Sequence, residues 1–152
     1  MSKTIKKRKI ITLERYLPYR LSILSNKVSG IIAETYKHKF GLSITEWRIM
    51  AVLGEYPNAS ADEVSSRTQI EKSILSRAIS KLLQRKLIER AFDADDKRRS
   101  ILSLTKTGLS VYDEMVPISY DYEKRMLKCF NQSERKVFSE MIDRLYGYAD
   151  KE

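Results

Sequence analysis

The stretch Leu87-Ile88-Glu89-Arg90-Ala91-Phe92-Asp93-Ala94-Asp95-Asp96-Lys97-Arg98-Arg99-Ser100-Ile101-Leu102-Ser103-Leu104 decides the fold. Two short runs rich in Ile, Leu and Phe, Leu87–Phe92 and Ser100–Leu104, flank a highly charged loop. That pattern predicts a β-hairpin. In the loop the acids Asp93, Asp95 and Asp96 come first and the cations Lys97, Arg98 and Arg99 follow. The loop is neutral in sum, yet three adjacent cations at a hairpin tip repel one another unless an anion lies nearby. A basic finger of this size fits a DNA minor groove, where a narrow groove deepens the negative potential.

Upstream of the hairpin the apolar period is helical. Lys72 to about Arg85 reads as one helix, preceded by a tight turn at Gln69-Ile70-Glu71 and a short helix from Ser60 to about Thr68. Ser60-Ala61-Asp62-Glu63 has the form of a capping box, as does Ser43-Ile44-Thr45-Glu46, which opens a helix through Trp47, Ile49, Met50, Val52 and Leu53. A short helix, a tight turn, a second helix and a hairpin, in that order, make a winged helix-turn-helix over residues 41–104. Downstream, Thr105 is the expected N-cap of a long helix that carries Pro117, where a kink is expected. A last helix starts near Ser133 with Val137, Met141, Leu145 and Tyr148 on one face.

The second helix of the motif has two distinct faces. At about 100° per residue, Leu75, Ala78, Ile79 and Leu82 fall on one side and point to a core. Ser73, Ser76, Arg77, Ser80, Lys81 and Gln84 fall on the other, with no acid among them. Ordinary solvated helix faces mix Glu with Lys to gain i,i+4 pairs. Residues 71–90 instead hold Lys72, Arg77, Lys81, Arg85, Lys86 and Arg90 against Glu71 and Glu89. Serines let a helix backbone approach base edges closely. Arg77 can reach guanine bidentately or hold a phosphate, and Gln84 can pair with adenine near the helix end.

Composition agrees with a polyanionic partner. The chain has 152 residues, 29 Lys+Arg and 20 Asp+Glu, a formal charge of +9. Its 42% apolar and 32% charged content is that of a globular protein. No run of about 18 apolar residues offers a membrane span, and the basic start lacks the apolar core of a secretion signal. A cytoplasmic location is expected, without membrane partners. One cysteine, one histidine and five glycines leave little from which to build a catalytic, metal or phosphate-loop site. No nucleophile–base or acid–base pair is evident, so an enzyme is not expected. No cofactor is expected either. His38 reads as a surface residue in Lys37-His38-Lys39, and Cys129 as a buried, inert thiol.

Gly41-Leu42-Ser43-Ile44-Thr45-Glu46-Trp47-Arg48, Ser73 through Leu82, and Asp93 through Ser100 running into Leu104-Thr105 resemble the MarR family of bacterial transcriptional regulators. The resemblance covers about residues 13–148. The acid–basic wing followed by Leu-Thr and a long helix is its most specific part. It implies an obligate homodimer, reading of double-stranded DNA by the helix containing Ser73–Gln84, and wing insertion through Lys97 or Arg98. It also implies repression on a palindromic operator, relieved by a small aromatic or anionic ligand. The candidate ligand-binding residues are Tyr16, Tyr19, Arg20 and Trp47, which read alternatively as core and interface residues. Two positions depart from the family pattern. Lys86 stands where a glycine usually follows the recognition helix, at a position that often needs positive φ. Lys97 stands where arginine is commoner, which shifts the wing's reading role toward Arg98.

The expected architecture is therefore mainly α with a small β-hairpin wing. Residues 1–12 form a basic tail, read either as a solvated terminus or as an arm touching DNA or a partner. Residues 13–40 and 105–150 form a helical dimerisation region from both termini. Leu17, Leu21, Leu24, Val28 and Ile31 step by 4, 3, 4 and 3, a seam suited to another long helix. Pro18 fits the first turn and Gly41 the end of that helix. An architectural module that binds DNA without base specificity is the alternative function.

Overall fold

The computed structural model describes residues 7–92, 94–96 and 99–152. A single 3-10 turn, Leu13–Arg15, precedes helix α1, Leu17–Phe40. Pro18 lies in the first turn of α1, as its missing amide requires. Gly41 ends the helix at φ 65°, and its amide donates to the Lys37 carbonyl at 2.9 Å. Helix α2, Ile44–Glu55, opens on a complete capping box. The Ser43 hydroxyl accepts the Glu46 amide at 3.1 Å, and the Glu46 carboxylate accepts the Ser43 amide at 3.2 Å.

A two-residue strand, β1 (Ala59–Ser60), leads into α3, Ala61–Thr68. This strand was not expected from the sequence, being too short to carry an alternating pattern. The Ser60 box is completed only on one side. Its hydroxyl accepts the Glu63 amide at 3.1 Å, while the Glu63 carboxylate lies 4.0 Å from the Arg99 guanidinium. Helix α4, Lys72–Gln84, follows. Strands β2 (Ile88–Phe92) and β3 (Ser100–Leu104) pair antiparallel from Ile88↔Leu104 to Phe92↔Ser100. Strand β1 pairs on the other side of β3, with Ala59 opposite Leu102, so the sheet order is β1-β3-β2. Helix α5, Lys106–Met126, runs through Pro117 and ends in a 3-10 turn, Leu127–Cys129. Helix α6, Gln132–Lys151, starts from a second complete capping box formed by Asn131 and Glu134.

The core sits beneath the helix-turn-helix. Ile49, Met50, Leu53, Val64, Leu75, Ile79 and Leu82 are buried together with Ile88 and Leu102 of the sheet. Helix α1 contributes Ile32 and Tyr36, and α5 contributes Met115. Gly108 permits the closest approach. A Cβ there would lie 1.9 Å from the Leu87 carbonyl oxygen, so α5 can abut the start of the hairpin only with glycine at this position. In contrast Leu17, Leu21, Leu24 and Ile31, four of the five seam residues of α1, are exposed, and α6 buries no residue in the single chain.

Cys129 is exposed, not buried as expected. It lies in the 3-10 turn beyond α5, where the core has already ended, and its thiol donates to the Met126 carbonyl at 3.4 Å. The neighbouring Phe130 instead stacks on Phe138 at 5.3 Å. His38 is exposed and lies 3.4 Å from Glu34. No described helix is long and apolar enough to cross a membrane.

Candidate nucleic-acid interface

Helix α4 is held by one face and presents the other. Leu75, Ala78, Ile79 and Leu82 are buried, and Ser73, Ser76, Arg77, Ser80, Lys81 and Gln84 are all exposed. Burying four apolar side chains at i, i+3, i+4 and i+7 fixes the helix rotation, and so fixes which residues face outward. The turn before α4 is pinned locally. Gln69 adopts the left-handed conformation at φ 56°, and its amide donates to the Ser65 carbonyl at 2.8 Å. The Thr68 hydroxyl donates to the Val64 carbonyl at 2.7 Å and accepts the Ile70 amide at 3.3 Å. Glu71, at the head of α4, does not cap it. Its carboxylate accepts the Ser73 hydroxyl at 2.6 Å, so this serine is already engaged by an acid.

Arg77 and Lys81 line a shallow concavity of about 210 Å³ with Ser43 and Thr45 at the start of α2. Glu46 lines it too, its carboxylate already engaged with the Ser43 amide, so the concavity brings two cations of α4 beside a helix start capped by one acid. Ile74 lines the same concavity and is exposed; sequence reasoning passed over it.

The other cations of the segment divide by role. Arg85 does not join the outward face. Its guanidinium donates to the Gly41 carbonyl at 3.0 Å and to the Phe40 carbonyl at 2.8 Å, which caps the C-terminus of α1. A cation at that end also meets the negative pole of the helix. Lys86 takes φ 57°, the strained left-handed conformation that its departure from glycine foreshadowed. Of the three wing cations, Arg99 is exposed at the foot of β3, near Glu63. Lys97 and Arg98 lie outside the described residues, as does Asp93.

The four candidate ligand residues do not converge within one chain. Tyr19 and Arg20 line a groove of about 510 Å³ along α1 with Leu17, Leu24 and Phe138, and Tyr16 is exposed at its N-terminal end. Trp47 lines a different pocket, of about 370 Å³, between α2 and α5 with Glu55, Tyr112, Ser119 and Tyr120. The Trp47 ring stacks on Tyr36 at 5.0 Å, and its indole N–H is buried without a partner among the described residues. Tyr36 in turn shares a 2.6 Å hydrogen bond with Ser119. Burial pushes the Tyr36 phenol above its ordinary pKa, and the Ser119 hydroxyl offsets part of that rise.

The model of the MarR family matches residues 40–99, the span from the end of α1 to the foot of β3. Over that span the chain is similar to the MarR family. A solved structure of a MarR/EmrR family transcriptional regulator from Acinetobacter sp. ADP1 is 28% identical, with a TM-score of 0.85 over 93% of this chain and 100% of that one. The HTH-type transcriptional regulator BilQ of Clostridium symbiosum is 25% identical over 107 residues, 70% of this chain and 74% of its own. FabT of Streptococcus pneumoniae, solved in complex with DNA, is 20% identical and shares the fold, with a TM-score of 0.75 over 89% of this chain and 96% of that one. The MarR relatives are named as transcriptional regulators, not as enzymes. The family match ends at residue 99, just before β3, while the solved structure covers 93% of the chain.

Proposed function

We propose that this protein is a MarR-family regulator, a sequence-specific repressor that binds a palindromic double-stranded DNA operator as a homodimer in the cytoplasm. The observation that carries the proposal is the outer face of α4: short hydroxyls, Arg77, Lys81 and Gln84 exposed together, rigidly held by four buried apolar residues. Arg77 is the proposed base reader, with Ser76 and Ser80 allowing close approach and Lys81 holding phosphate. The wing, through Lys97, Arg98 and Arg99, is the proposed minor-groove contact.

The homodimer is supported by the exposed seam of α1 and by an α6 with no buried residue. Helices from both termini, residues 13–40 and 105–150, would pair with those of a second copy around the winged domain, 41–104. Two-fold symmetry would then set two α4 helices about one DNA turn, roughly 34 Å, apart. A small aromatic or anionic ligand would relieve repression by changing that spacing. Trp47 favours the α2–α5 pocket as its seat, because the indole N–H there lacks a protein partner.

Selection of bound fragments from genomic DNA tests the reading. A repressor enriches one palindromic motif and binds it at least about 10³-fold tighter than random duplex at the same salt. A ratio near one would replace this reading with non-specific architectural binding. Repeating the selection with aromatic acids tests the ligand, which must release the enriched fragments.

A further inference from the structure

The outward face of α4 is polar or cationic except at one position. Lys72, Ser73, Ser76, Arg77, Ser80, Lys81 and Gln84 are exposed, and Ile74 among them has 46% of its surface open to solvent. A lone exposed isoleucine is ordinary on a protein surface, so exposure by itself assigns nothing. Its position does. Ile74 lies in the first turn of α4, and the N-terminal residues of a reading helix are those that meet base edges. It is spaced 3 and 7 residues from Arg77 and Lys81, and all three line one concavity with Ser43, Thr45 and Glu46, whose carboxylate is taken up by the Ser43 amide. The two cations draw a nucleic-acid backbone to that concavity, and the apolar side chain then needs an apolar group of the duplex to cover it.

The major groove offers one such group, the C5-methyl of thymine. Isoleucine suits the task because its branched Cβ holds one rotamer in a helix and presents methyl groups without conformational loss. A hydrogen-bonding side chain reads the thymine O4, whereas the methyl that separates thymine from uracil is felt only by an apolar contact. We infer that Ile74 reads the C5-methyl group of a thymine in each half-site. The inference rests on the DNA-reading role proposed for α4 and names a residue that determines specificity within it.

The test replaces each thymine of the selected operator with deoxyuridine, one at a time, and measures affinity by titration. The chain with Ile74 should lose roughly fourfold at one position per half-site, the effect of one buried methyl-sized group. Ile74→Ala should bind the thymine operator more weakly and show no difference between thymine and uracil at that position. Ile74→Val should keep a reduced preference. Being exposed, Ile74 can be truncated without opening the core, and an unchanged thermal transition verifies this. Thymine–uracil discrimination that survives in Ile74→Ala, or none in the unmutated chain on an enriched operator, overturns the assignment to Ile74 alone. Failure to enrich any operator overturns the DNA-reading proposal together with this one.

Discussion

The Thr105 hydroxyl donates to the Lys86 carbonyl oxygen at 2.6 Å and accepts the Gly108 amide at 3.0 Å. One side chain thus caps α5 and closes the strained corner between α4 and β2. The Thr105 amide adds a third bond, to the Leu87 carbonyl at 3.1 Å. Lys86 holds φ 57° just past the end of α4, and a non-glycine residue there costs about 1–2 kcal/mol. Lys86→Gly should therefore stabilise the protein by about 0.5–1 kcal/mol, the strain being partly offset by glycine's greater freedom when unfolded. Thr105→Val should destabilise it by about 1–2 kcal/mol. Urea midpoints measure both. A Lys86→Gly variant weaker than the parent would show that the lysine side chain itself holds the corner.

Lys81, in the last turn of α4, and Arg85, the C-cap four residues on, should behave oppositely. Arg85 is committed to the Phe40 and Gly41 carbonyls, so Arg85→Ala should cost about 1 kcal/mol of stability and leave the salt dependence of DNA binding unchanged. Lys81→Ala should leave stability within about 0.5 kcal/mol and lower the slope of log affinity against log salt by about one. Parallel unfolding and salt titrations separate them. A salt slope that falls with Arg85→Ala would place that guanidinium on a phosphate instead of on α1.

Tyr36 gives the stability an alkaline dependence of known sign. Burial raises its folded pKa above the ordinary value of 10.0, so the unfolded chain loses this proton first. The contribution is therefore fully present below the unfolded pKa and is lost as pH rises through the higher folded pKa. Tyr36→Phe keeps the ring against Trp47 but removes the ionisable group and the bond to Ser119. The free-energy gap between parent and variant should be constant from about pH 7 to 9 and narrow above about 10. A gap that does not change with pH would show that the phenol titrates alike in both states.

The exposed face of α6 predicts the assembly. Met141→Lys would leave a single chain folded, since Met141 is exposed there, but would put a charge into the proposed dimer interface. The dimer should weaken by at least about 2–3 kcal/mol, read as a shift to monomer mass in sedimentation, and operator affinity should fall with it. An unmutated chain that sediments as a monomer at micromolar concentration would remove the dimer from the mechanism.

Much of the fold is legible in the sequence because its signals are local. The capping pair Ser43 and Glu46, the helix stop at Gly41, the buried row Leu75, Ala78, Ile79 and Leu82, and the two hairpin strands each depend on residues within a few positions. Helix period and strand run therefore sufficed to name the winged helix-turn-helix and the outward residues of α4. The left-handed conformation at Lys86 was legible for the same reason, since it is set by the end of its own helix.

What only the tertiary structure decided concerns partners far apart in the chain. Arg85 reads as one more cation of the segment 71–90 until its guanidinium meets carbonyls 44 and 45 residues upstream. Cys129 reads as a core thiol until the core proves to end before it. Within one chain, Tyr19 and Arg20 line a groove along α1 and Trp47 a pocket between α2 and α5, a placement that their types alone do not carry. Helix period tells which side of a helix is apolar, but not which neighbour covers it or whether any does. That depends on crossing geometry and on the length of the elements between, which no local pattern carries.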